Sequence, residues 1–258
     1  MGERTQYPPG TFSWTDLTTT DQEGAKAFYA ALFGWQAEDI PVGENIVYSM
    51  QRIDGKDVAA ISPQPQQQRD AGAPPMWNSY VTVESADDAV EKAKELGGTA
   101  HSAAFDVMDA GRMGVIQGPE GAFFAVWEPK QNIGANLVNA PGALCWNELA
   151  SPDFDASQAF YSGLFGWEIA PFEGSPMPYL SIRNNGRSNG GMREPQEGEP
   201  PNWLVYFAVE DIDAALAKVE ELGGTKLAGP IDIQMAKIGI VSDPQGAAFA
   251  LYAGQLED

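Results

Sequence analysis

Residues 12–17 (Phe12-Ser13-Trp14-Thr15-Asp16-Leu17) and 144–149 (Leu144-Cys145-Trp146-Asn147-Glu148-Leu149) alternate bulky apolar with small or polar side chains. That period of two predicts a strand with two unlike faces. A helix is expected directly after each strand. Thr20-Asp21-Gln22-Glu23 has the form of a capping box, and Asp153 marks the helix start in the second case. Phe28 and Leu32 supply a buried stripe, while Gly34 and Gly166 act as C-terminal stops. Further along, 80–83 and 206–209 read as strands, and 85–96 and 211–222 as helices ended by paired glycines. Two more short strands close each half, the last at 123–127 and 249–252. The expected class is α+β.

The same scheme appears twice because the chain is an internal repeat. Phe28-Tyr29-Ala30-Ala31-Leu32-Phe33-Gly34-Trp35 returns as Phe160-Tyr161-Ser162-Gly163-Leu164-Phe165-Gly166-Trp167, a shift of 132. Pro74-Pro75-Met76-Trp77 returns as Pro200-Pro201-Asn202-Trp203, and Glu95-Leu96-Gly97-Gly98-Thr99 as Glu221-Leu222-Gly223-Gly224-Thr225, each shifted by 126. The closing turns Gly118-Pro119-Glu120-Gly121 and Asp243-Pro244-Gln245-Gly246 are shifted by 125. The six residues lost between the first and second groups fall where Gln64-Pro65-Gln66-Gln67-Gln68-Arg69 reads as an exposed loop. Two modules are expected, at 8–130 and 140–255, within the 258 residues.

Composition narrows the function classes. Fifteen basic against thirty-six acidic residues give a formal charge of −21, a field that repels nucleic acid and anionic membranes. No stretch offers the ~18 uninterrupted apolar residues of a membrane span. The first residues lack the basic and apolar parts of a secretory signal, and the single cysteine, Cys145, has no intrachain partner. A cytoplasmic protein, monomeric or homodimeric, is the expectation.

A first strand, a Phe-Tyr helix ending Phe-Gly-Trp, central hairpin strands, a Val-x-Val-Glu/Asp strand, a helix ending Leu-Gly-Gly and a Pro-x-Gly turn together resemble the vicinal oxygen chelate superfamily. That superfamily contains glyoxalase I, bleomycin-resistance proteins and extradiol dioxygenases, and the likeness covers about 240 of the 258 residues. It implies two tandem modules, each made of two βαβββ units whose curled mixed sheet forms a cleft. It also implies four positions that supply His, Gln or Glu ligands in metal-using members. Here they fall on Trp14 and Trp146, near Ala60 and Gly191, on Asn78 and Leu204, and on Val126 and Leu251. Indole and alkyl groups have no lone pair to offer and a single amide is a poor ligand, so no metal and no other cofactor is expected. Asp16, Glu128 and Glu148 lie close by and leave an oxygen-only Mg²⁺ or Mn²⁺ site as a lesser alternative.

Strand parity, with the resemblance choosing the face, puts Trp14, Asp16, Trp146 and Glu148 in the clefts. Asn78, Tyr80, Leu204 and Tyr206 are expected beside them, as are Phe124, Val126 and Glu128 against Phe249, Leu251 and Ala253 from the last strands. The first cleft should then be the more polar. Trp14, Asn78, Tyr80, Phe124, Trp146, Tyr206 and Phe249 are the candidate ligand-binding residues, and Asp16, Glu148 and Glu128 the candidate acids or bases. The indoles of Trp14 and Trp146 serve equally as core or as ligand platform. Trp35, Trp77, Trp167 and Trp203 read as packing. A carboxylate retained at one place in both copies implies either a structural hydrogen bond, as to a tyrosine, or a functional anchor. Arg112 and Lys237, matched across the repeat, read first as solvated and second as anion-binding.

Three functions follow as expectations. The first is a metal-free protein that binds a small apolar or aromatic molecule for sequestration or resistance. The second is a metal-free acid–base enzyme, a lyase, isomerase or hydroxylase-like protein acting on an aromatic or carbonyl natural product. The third, which the ligand positions oppose, is a metal-dependent glyoxalase or dioxygenase.

Overall fold

The computed structural model describes residues 2–43, 46–173, 175, 177–234 and 236–256. The first half carries β1 (Gly2–Glu3), β2 (Phe12–Thr19), α1 (Gln22–Phe33), β3 (Gln36–Gly43), β4 (Ile46–Ile53), β5 (Lys56–Pro63), α2 (Gln66–Asp70), β6 (Met76–Thr82), α3 (Ala86–Glu95), β7 (Thr99–Ala100), β8 (Phe105–Val107), β9 (Gly111–Gln117) and β10 (Phe123–Pro129). The linking strand β11 (Leu137–Val138) leads to β12 (Leu144–Ala150), α4 (Phe154–Phe165), β13 (Glu168–Pro171), β14 (Tyr179–Asn184), β15 (Arg187–Arg193), β16 (Asn202–Ala208), α5 (Ile212–Glu221), β17 (Thr225–Ile233), β18 (Ala236–Ser242) and β19 (Ala248–Gly254). The stretch expected as an exposed loop at 64–69 instead winds into the short, exposed α2, and Gln64 is buried with its amide on the Ala73 carbonyl.

Each half makes one mixed sheet, and the two sheets have the same plan. The orders are β3-β4-β5-β2-β6-β10-β9-β7 and β13-β14-β15-β12-β16-β19-β18-β17. In each, the two opening strands run antiparallel at the centre, and each is flanked by a parallel closing strand, β5 and β10 or β15 and β19. This is α+β architecture duplicated in one chain. None of the described helices is long and apolar enough to cross a membrane.

The helices start and stop where local chemistry directs. The Asp21 and Asp153 carboxylates accept the amides of Gly24 and Ala156, satisfying donors that the first turn leaves open. Gly34 and Gly166 close the same helices with φ of 75° and 73°, a region costly for any residue with a Cβ.

The repeated Phe-Tyr…Phe-Gly-Trp stretch holds the modules together. Tyr29 stacks on Trp35 and meets Trp77 edge-on, and Phe207 and Phe249 of the other module complete the cluster. Tyr161, Trp167 and Trp203 repeat it around Phe12 and Phe124. Both apolar cores therefore draw on both halves of the chain, and full burial of side chains this size contributes about 1.5–3 kcal/mol each. Polar bonds cross the same boundary in matched pairs. Tyr29 Oη donates to Asp243 Oδ2 at 3.0 Å and Tyr161 Oη to Glu120 Oε1 at 2.7 Å. The Trp35 and Trp167 indoles donate to the carbonyls of Gly142 and Gly10. The tryptophans expected as packing do pack.

Candidate functional site

The sheet face turned away from the helices is the one that the resemblance assigns to the cleft, or cup, and backbone register decides which side chains stand on it. In the first module Asp16 pairs with Ala60 and Asn78, Trp14 with Tyr80, and Tyr80 with Ala125. In the second, Glu148 pairs with Gly191 and Leu204, Trp146 with Tyr206, and Tyr206 with Ala250. The expected placement of Trp14, Asp16, Asn78, Tyr80, Trp146, Glu148, Leu204 and Tyr206 agrees with this register.

The last strands differ from expectation. Ala125 and Ala250 share the face of Tyr80 and Tyr206, so Phe124, Val126 and Glu128, with Phe249, Leu251 and Ala253, point to the opposite face. Phe124 and Val126 pack under α3, and Phe249 and Leu251 belong to the aromatic core shared with α1 and α5. Glu128 Oε2 accepts the amide of Ala86 at 3.0 Å, so it holds the first turn of α3 and stands outside the cup. A one-residue change of parity moves a whole strand's side chains across the sheet, which removes Phe124, Phe249 and Glu128 from the candidate site.

The two acids on the opening strands sit at the cup floors in unlike company. Asp16 is buried, its Oδ1 accepting from Asn78 Nδ2 at 2.8 Å and its Oδ2 from Tyr80 Oη at 2.8 Å and Tyr48 Oη at 3.0 Å. Trp14 Nε1 donates in turn to Tyr48 Oη at 2.9 Å. Every partner is neutral. Burial therefore holds the Asp16 carboxyl above its ordinary value, against the pull of those three donors. Burial and the Asp16 charge push the Tyr80 and Tyr48 phenols well above theirs.

Glu148 has a cation instead. Its Oε1 accepts from Arg193 Nε and Tyr206 Oη, both at 2.8 Å, and Arg193 forks onto Glu199 with two contacts of 2.7 Å. Burial works against the Arg193 charge, yet Glu199 and Glu148 outweigh it and raise its pKa further. Trp146 Nε1 donates to Tyr179 Oη at 3.1 Å, reproducing the Trp14–Tyr48 contact. Glu128 being elsewhere and Arg193 and Glu199 being present, the second floor carries the more charge, the reverse of the expected order.

Tyr48, Tyr179 and Arg193 are site residues that strand parity on the opening strands did not reach. The two tyrosines are a repeat pair shifted by 131, legible had the repeat been followed into the hairpin. The outward cations are solvated ion pairs: Arg112 grips Asp87 at 2.8 and 2.9 Å, and Lys237 lies 3.8 Å from Asp213.

A divalent transition metal needs several lone-pair donors converging on one point. The facing positions here supply Trp14, Ala60, Asn78 and Ala125, or Trp146, Gly191, Leu204 and Ala250. Among the described residues no three His, Cys, Asp or Glu side chains gather to hold an ion. Asp16 is already wrapped by three donors and Glu148 is neutralised by a guanidinium, so these floors do not fit such a metal.

Comparison with known proteins agrees with the duplicated plan. Residues 11–126 match the pattern of the Glyoxalase/Bleomycin resistance protein/Dioxygenase superfamily, and 146–252 that of a glyoxalase-like domain. The chain is 43% identical over 97% of both chains to CFP32 of Mycobacterium bovis and Mycobacterium tuberculosis, which carries the provisional name of a glyoxylase. It is 31% identical to the anthracycline biosynthesis protein DauV of Streptomyces sp. strain C5, covering 96% of this chain and 94% of that protein. The fold is similar to a Mn(II)-bound glyoxalase from Novosphingobium aromaticivorans (TM-score 0.67, 15% identity, 100% of this chain and 84% of that one). It is also similar to the 2,3-dioxygenase LapB from Pseudomonas sp. KL28 (TM-score 0.63, 14% identity, 97% and 95%).

Proposed function

The chain belongs to the vicinal oxygen chelate superfamily as a two-module member, and we propose that within it the protein binds a small, largely apolar or aromatic molecule in a cup, without a metal ion, as a sequestering or resistance protein. One observation carries this reading. In both cups the acid on the opening strand is consumed by the protein's own donors, while indole, phenol and alkyl groups surround it. Apolar area for affinity with a few fixed polar groups for orientation is the usual make-up of a small-molecule site. Relatives named for anthracycline biosynthesis, DauV and DnrV, are consistent with an aromatic ligand.

Titration with a soluble polycyclic aromatic compound should quench tryptophan emission and raise the melting temperature, with EDTA leaving the affinity unchanged. Absence of binding across a panel of such compounds, or affinity that collapses with chelation and returns with Mn²⁺ or Zn²⁺, would refute the proposal.

A second reading rests on Asp16. A buried carboxyl held above its ordinary value between two phenols is suited to accept a proton from a bound carbonyl compound. Turnover that follows a sigmoidal pH–rate profile and disappears in Asp16→Asn would establish it in place of sequestration.

A further inference from the structure

We propose a binding site outside both cups, in the groove where α1 of the first module meets α5 of the second, for a small aromatic compound that carries a primary ammonium group. Helices and cups lie on opposite faces of the sheets, so this site is separate from the one proposed above.

The groove encloses a cavity of about 420 Å³. Leu32 and Phe33 at the end of α1 form one wall, Gly142 of the linking segment a second, and Val209, Ala214 and Lys218 the third. A space of this size at a boundary between modules is one that small ligands use.

The lining favours an apolar body with a positive charge. Leu32, Phe33 and Val209 are half-buried, and the Phe33 ring is held by Trp35 and Phe207, each at 5.2 Å between ring centres. Phe33 ends α1, and the last carbonyls of a helix carry the negative end of its dipole. No basic residue stands in that last turn. A Cβ on Gly142 would lie 3.1 Å from the Phe33 carbonyl, so the helix end borders the groove directly. Glu210 and Asp211 are exposed at its rim. Lys218 is the cation among the lining residues, and its Nζ turns to Glu221 Oε2 at 3.1 Å. An ammonium group entering here meets helix-end carbonyls and two carboxylates, and an anion meets the same groups as repulsion.

The repeat supplies a precedent for that contact. Leu164 is the partner of Leu32, shifted by 132, and Lys92 that of Lys218, shifted by 126. At the other joint Lys92 Nζ donates to the Leu164 carbonyl at 3.2 Å, an alkyl ammonium seated on the end of α4. Like α1, α4 has no basic residue in its own last turn. With Lys218 drawn to Glu221, a ligand amine would supply at α1 what Lys92 supplies at α4.

The test is calorimetric titration of the full chain at pH 7 with 1-naphthylmethylamine, 1-naphthalenemethanol and 1-naphthoic acid, which share a ring system and differ in charge. The amine should bind, with the alcohol about fivefold or more weaker and the acid weaker still. Ala214→Phe fills the groove from an exposed position of α5 and should weaken the amine about tenfold or more, whereas Asp88→Phe, the matching position of α3, should leave it within about twofold. If circular dichroism shows that Ala214→Phe is unfolded, Ala214→Leu carries the comparison. Amine binding that ignores the Ala214 variant would overturn the site and leave the cup proposal standing. An alcohol or acid that binds as tightly would overturn the ligand class. Binding that appears only in Lys218→Met would show that Lys218 closes the groove as Lys92 caps α4, and would overturn the site in this chain. If none of the three probes binds, the inference fails.

Discussion

The Tyr29 hydroxyl is one atom placed at the joint between the modules, and Tyr29→Phe measures what that joint is worth. The hydroxyl accepts from Trp77 Nε1 at 3.0 Å and donates to Asp243 Oδ2 at 3.0 Å, and all three residues are buried. Asp243 Oδ1 keeps the amides of Gln245 and Ala247, so the turn retains part of its support. Phenylalanine fills the same stack against Trp35 but leaves the indole N–H of Trp77 without a partner, a loss of about 1–3 kcal/mol. The lost bond to the carboxyl adds about 1 kcal/mol when Asp243 is protonated and about 1.5–3 kcal/mol when it is ionised. Burial holds the Asp243 carboxyl above its ordinary value of 3.8, and the Tyr29 hydroxyl is one of the groups that pull it back down. The hydroxyl therefore favours the ionised form, and the cost of removing it grows as pH rises through that elevated value. Urea unfolding should show a total loss of about 2–4 kcal/mol at pH 4 and about 2.5–6 kcal/mol at pH 8, with unchanged urea dependence. A loss below about 0.5 kcal/mol, or one larger at pH 4, would refute the account of the joint.

Three further outcomes follow from the same geometry. Asp16 in the folded chain keeps a proton that the unfolded chain releases, so its stabilising contribution is complete below the ordinary 3.8 and fades as pH rises through the elevated value. Asp16→Asn, neutral throughout, should gain stability relative to the parent between pH 4 and 8; urea midpoints that stay parallel across that range would contradict the raised value. Glu128→Ala should cost about 0.5–2 kcal/mol by uncapping α3 and leave ligand affinity unchanged in calorimetry, whereas lost affinity would return Glu128 to the site. Gly191→Ala should push Tyr179 out of the second cup, because a Cβ there overlaps the Tyr179 hydroxyl, and the break with Trp146 should appear as a shift in tryptophan emission; an unaltered spectrum would show that the ring has room to yield.

The parts of this molecule that sequence reveals are those decided by near neighbours. Alternation over 14–17 and 146–149 fixes which side chains share a face, although a bulge turns Phe12 and Leu144 to the other side, and Asp21, Asp153, Gly34 and Gly166 mark helix ends by hydrogen bonds spanning a few residues. The last strand shows where this stops. Phe123-Phe124-Ala125-Val126-Trp127 is apolar at every position because one face packs under α3 and the other lines the cup. A strand covered on both sides carries no alternation, so its parity is set by its pairing with β6, some forty residues away in the chain. Arg193 was hidden for the same reason: its meeting with Glu148 spans 45 residues. Duplication explains why the difference between the cups escapes the motifs. Trp14 and Trp146, Tyr80 and Tyr206, Asp16 and Glu148 match, and what separates the two floors is Arg193, which pairs with Ala150 where the first module pairs Ser62 with Thr18. With a serine at that place, Asp16 meets only the neutral donors Asn78, Tyr80 and Tyr48. Glu148 meets the Arg193 guanidinium instead, because a side chain two residues along β15 from Gly191 reaches back to it.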